Sequence, residues 1–147
     1  MIDTVPTNPR TQAARAAGPL SRPADQAFVV LYAGFIALPI IAGADKFLHV
    51  LVNWDLYLAP AVANLLPVSG HTFMLVVGVI EMAAGVLVFL WPRVGAWVVA
   101  LWLWGIIVNL LLAGGFYDIA LRDFGLSLGA IALARLASEP GRPRLVG

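Results

Sequence analysis

From Val94 to Ala113 the chain runs without a single charged residue. A helix needs about 20 mostly apolar residues to cross the hydrocarbon core of a bilayer. Three other segments read the same way: Ala27 to Phe47, Thr72 to Trp91 interrupted by Glu81, and Ile119 to Ala137 with Arg122 and Asp123 near its start. Only 12% of the residues are charged. A soluble domain carries about a quarter, so the balance excludes most soluble folds and points to a multi-pass membrane protein.

The fourth segment is the weakest by hydropathy. It is uncharged only from Phe124 to Ala134, so it spans only if protein shields its first turns. Four spans put Arg10, Arg15, Arg22, Arg93, Arg135, Arg142 and Arg144 on one side. The other side keeps Lys46 and Arg122 among Asp45, Asp55, Asp118 and Asp123. The positive-inside rule then places both termini in the cytoplasm.

Three regions follow. Residues 1–25 read as a flexible cytoplasmic tail, polar and rich in Pro and Arg, without the early apolar core of a signal peptide. Residues 26–138 read as an all-α, integral membrane four-helix bundle. Residues 139–147 read as a second cytoplasmic tail. Pro92 breaks the chain between spans two and three, and so short a turn makes them antiparallel. The outer loop between spans one and two carries Trp54, Tyr57 and several leucines with few charges. That mixture suits a membrane interface and predicts a short interfacial helix near Ala59–Leu66, started by Pro60. Ser69 is placed to cap span two, and Asp118 to cap span four and reach Arg122 one turn on.

Charges inside an apolar frame are costly, so they mark structure or function. Glu81 falls near mid-span, with Gly78 and Gly85 on its own helical face. Small residues beside a carboxylate describe a close helix contact turned to the interior. Lys46, Glu81, Asn109, Arg122 and Asp123 all fall on the outer half and form one expected polar cluster, with Asp45 and Asp118 near it. Two readings stay open: ion pairs that fix helix register, or a pocket for a small polar head group such as a quinone. In Gly125-Leu-Ser-Leu-Gly129 the shared face with Arg122 predicts packing inward rather than dimerisation.

Other chemistry lacks its residues. Cysteine is absent, which removes disulfides, thiol relays and Cys-held metal or iron–sulfur centres. No nucleophile triad, phosphate loop or zinc-protease motif occurs. His49 and His71 are the only histidines, and nothing in their spacing brings them together, so no metal is expected. Net charge is +1, which gives no basic footprint for nucleic acid. Expected partners are membrane lipids and other membrane subunits. No cofactor is expected on the chain itself, with quinone or lipid as the exceptions.

Three motifs resemble the DoxX-like family of small bacterial membrane proteins. They are Gly43-Ala-Asp-Lys-Phe-Leu, Gly78-Val-Ile-Glu-Met-Ala-Ala-Gly85, and Arg122-Asp-Phe-Gly-Leu-Ser-Leu-Gly-Ala. The similarity covers about Phe28 to Ala137 with the motifs in the order of the spans, and it implies a multi-pass protein of a bacterial inner membrane. The resemblance implies a four-helix bundle with polar positions Lys46, Glu81, Arg122 and Asp123. It also implies association with redox systems, some with thiol-handling partners. Without cysteine, this chain cannot perform dithiol chemistry itself. The function expected is therefore a subunit or scaffold of a larger redox or bioenergetic membrane complex, with no catalytic residues of its own.

Overall fold

The computed structural model describes residues 22–139. Most of the expected first tail, and all but the first residue of the second, lie outside them. The described residues are helical and contain no strand. Helix α1 is Pro23–Leu48, α2 is the short Pro60–Ala63, α3 is Gly70–Leu90, α4 is Pro92–Ala113 and α5 is Tyr117–Leu136. A 3-10 turn at Trp54–Tyr57 precedes α2.

Helices α1, α3 and α4 are each long and apolar enough to cross a membrane. Helix α5 is comparable in length but carries Asp118, Arg122, Asp123 and Arg135. The expected segments lie within these four helices to within a few residues. The interfacial helix is shorter than expected, one turn instead of two. Pro60 does occupy its first turn, where a missing N–H costs nothing.

The helix boundaries have local causes. Ser69 accepts a hydrogen bond from the Thr72 amide at 3.2 Å and so caps α3. Trp91 alone separates α3 from α4, because Pro92 cannot continue the first helix but suits the start of the next. Gly95 makes that reversal tight, since a Cβ there would overlap the Val88 backbone. Helix α5 differs from expectation: Phe116 occupies its N-cap position with no side-chain cap, and Asp118 lies inside the first turn.

Helix α1 packs mainly on α3, and α4 mainly on α5; the α3–α4 and α1–α5 contacts are smaller. One buried cluster holds Phe28, Phe35, Val88, Val99 and Leu133 around alanines 84, 96, 100, 130 and 134. Small side chains there let the backbones approach, which is how helices gain contact where lipid is as apolar as protein. A second cluster of Ile107, Leu110 and Ala120 meets Tyr57 and Phe116. It seats the 49–69 loop on the end of α4 and α5. Leucine, valine and tryptophan cover the outward faces, among them Leu101, Trp104, Leu112 and Leu121.

Candidate functional site

The expected polar cluster begins at a backbone contact. Gly43 of α1 and Gly78 of α3 face each other so closely that a Cβ on Gly78 would lie 2.7 Å from the Gly43 carbonyl. A Cβ on Gly43 would in turn overlap the Gly78 carbonyl and reach 2.8 Å from Met82 Cγ. Only glycine permits this approach. Lys46 follows Gly43 by three residues and Glu81 follows Gly78 by three, so each stands beside the crossing. Lys46 Nζ donates to Glu81 Oε2 at 2.5 Å. The side chains are 2% and 9% exposed, so neither water nor a ligand reaches the bond freely. The Lys46 ammonium also lies 3.8 Å from the Trp54 ring centroid, a cation–π contact that covers it from the loop side.

Asp45, the neighbour of Lys46, binds the loop. Its carboxylate accepts from the Val50 amide at 2.9 Å, the Leu51 amide at 3.0 Å and Trp54 Nε1 at 2.7 Å. Asp45 thereby holds Trp54 over Lys46. Asn109 also binds the loop. Its Nδ2 donates to the Tyr57 carbonyl at 2.7 Å, and its Oδ1 accepts from the Ala59 amide at 3.0 Å. Irregular backbone against apolar helices needs such partners, because its polar groups otherwise go unpaired.

The five expected residues therefore separate. Lys46 and Glu81 meet directly. Asp123 is buried on α5 within electrostatic reach of Glu81. Asn109 clamps the loop rather than joining the pair. Arg122 departs from its expected inward direction: its side chain is 69% exposed, and its Nε lies 3.9 Å from Asp123 Oδ1. The Gly125 face is likewise open, while Gly129 packs on Phe35. Gly-x-x-x-Gly is thus split between an open and a packed position, not buried throughout.

Sequence reasoning missed a second group at the same end. The His49 and His71 rings stack with centroids 5.7 Å apart. Asp55 Oδ2 lies 2.9 Å from His71 Nδ1. The only available signal was that both histidines flank one loop. Their spacing in the chain does not show this approach, because the 49–69 loop folds back and closes the gap. The Trp102 indole N–H on α4 is buried without an acceptor among the described residues, and nothing in the structure explains it.

The opposite end is built differently. Arg22 and Glu139 pair at 2.6 Å, and the carboxylate holds the guanidinium above its ordinary value. Arg93, Trp97 and Arg135 line an open cleft of about 450 Å³ with Ser138 and Glu139. Comparison with known proteins finds no matching family model, no similar curated protein and no similar solved structure.

Proposed function

We propose that this chain is a four-span bundle with both termini in the cytoplasm, acting as a non-catalytic subunit or scaffold of a larger membrane complex. The observation that carries the reading is the closed Lys46–Glu81 pair. Lys46 in the last turn of α1 and Glu81 midway along α3 are spent on each other, 2% and 9% exposed. A buried pair of this kind suits the fixing of helix register. A head-group pocket needs the same two side chains to be reachable, so the ligand reading is less favoured.

The fourth span is α5. Its buried Asp123 and Ser127 face protein, and Arg122 lies in its second turn, where a long side chain reaches a headgroup layer. The Arg93 and Arg135 cleft supports the cytoplasmic assignment of its end, since basic clefts between helices suit anionic lipid head groups. The motifs around Lys46, Glu81 and Arg122-Asp123 support a DoxX-like setting in a bacterial inner membrane, and with it a redox or bioenergetic partner. Open glycines on α4 and α5, Gly105 and Gly125, offer places for partner helices.

Extraction from native membranes in mild detergent tests this reading. The expected result is a complex with other membrane subunits in fixed ratio. A chain that migrates alone, and regains no partner when crosslinked in the membrane before extraction, contradicts it.

A further inference from the structure

We infer that His49, Asp55 and His71 form a binding site for a divalent first-row transition metal, with Zn²⁺ the best match to the donors. The inference is independent of the subunit reading. Three separate elements supply the donors: His49 caps α1, Asp55 lies in the 3-10 turn and His71 lies in the first turn of α3. One ligand atom from each lies within 4.8 Å of the other two. Zinc bonds of about 2.0–2.2 Å set tetrahedral donors about 3.3–3.6 Å apart. Both histidines are exposed, so ring rotation at a free surface closes that difference.

Two further observations favour an ion over a plain His–Asp hydrogen bond. Asp55 uses Oδ2 toward His71, yet its Oδ1 is buried with no partner among the described residues. A buried carboxylate oxygen without a donor is rare, and affinity for a cation is one of the few explanations. His49 ends α1 with φ of 53°, a left-handed turn common at helix ends that histidine adopts more readily than most residues. That conformation turns the chain at the end of α1, where the His49 ring lies over His71. The turn thus sets the second imidazole beside the first.

The donor set selects the ion class. Two imidazoles and one carboxylate suit zinc and its first-row neighbours, whereas calcium and magnesium require mostly oxygen ligands. Three protein donors leave a coordination position for water or an outside ligand. The ring nitrogen that binds must carry no proton: an ion at His71 Nδ1 replaces the hydrogen bond to Asp55, whereas an ion at Nε2 leaves it in place. The bound ion would join the end of α1 to the start of α3 across the loop.

The test uses the full chain in detergent, purified without a polyhistidine tag. Co²⁺ is titrated in and its visible absorption recorded, then Zn²⁺ is added to displace it. The expected result is saturable uptake of one ion per chain. His49→Asn, Asp55→Asn and His71→Gln should each weaken it, with helix content by circular dichroism unchanged. Asn tolerates the left-handed conformation, so His49→Asn removes the ligand and keeps the turn. Loss of an outer-shell partner alone weakens metal sites about ten- to a hundred-fold, and loss of a ligand should do at least as much. Absence of saturable uptake overturns the proposal, as does equal affinity in wild type, His49→Asn and His71→Gln. If Asp55→Asn loses helix content, the two histidine variants decide.

Discussion

Replacing Glu81 by Gln leaves the Lys46 ammonium buried without its carboxylate. The structure sets the size of the effect. Lys46 is 2% exposed and Glu81 9%, so water neither screens the pair nor solvates the survivor. Removing one member of such a pair costs about 3–5 kcal/mol, because an uncompensated charge stays inside. Replacing both by apolar residues of similar volume is often neutral, or stabilising by about 1–4 kcal/mol. The experiment is therefore a cycle of Lys46→Met, Glu81→Leu and the double variant, with Glu81→Gln alongside. Equilibrium unfolding in a fixed detergent is read by circular dichroism and by tryptophan fluorescence. Each single variant should lose about 3 kcal/mol or more, over a hundred-fold in the folded ratio. The double variant should be more stable than either single. Single variants within about 0.5 kcal/mol of wild type would show that the pair does not hold the helices together, as would a double variant whose loss equals the sum of the two. A Glu81→Gln protein that keeps full stability but loses a co-purifying quinone or lipid would instead establish the pocket reading.

Two further perturbations probe what surrounds the pair. Gly43→Ala drives a methyl group into the Gly78 carbonyl and Met82; overpacking costs about 1–3 kcal/mol, and separation of the helices adds part of the ion-pair loss. Its unfolding midpoint should fall well below that of Gly34→Ala, where a Cβ meets nothing within 4 Å. Asn109→Ala removes both hydrogen bonds to the 57–59 backbone and should cost about 1–3 kcal/mol as those groups go unpaired. Hydrogen exchange at the Ala59 amide should accelerate while amides inside α3 stay protected; unchanged Ala59 exchange would show that the loop holds without Asn109.

The helices were legible because their ends carry strong signals. Ser69 and Pro92 stop or start backbone hydrogen bonding whatever surrounds them. The inward direction of Glu81 was legible too, since Gly78 and Gly85 share its face and both meet α1. The direction of Arg122 was not. Arg122 and Asp123 are adjacent, and one residue turns about 100° around a helix. In a soluble helix the apolar stripe would choose between them. Here outward-facing and inward-facing positions are equally apolar, so Leu121 and Leu128 point outward while Ala120 and Ala130 are buried. The meeting of His49 with His71 depends on how a long loop closes, which no short-range pattern encodes. Asn109 fell on the expected outer half, but its partners are loop carbonyl and amide groups, invisible to a reading that pairs side chains with side chains.

The account stands or falls on whether α5 crosses the membrane, because the polar interior and the shared side of the termini both require it. The chain contains no cysteine, so single-cysteine variants can be labelled without background. Leu65 in the loop and Ser138 after α5 are both exposed. Each is replaced by Cys and challenged with an impermeant maleimide on intact cells, then after permeabilisation. Four spans predict that Leu65→Cys labels in intact cells and Ser138→Cys only once the membrane is opened. Labelling of both in intact cells would place them on one side, leave α5 outside the spanning set and contradict the account.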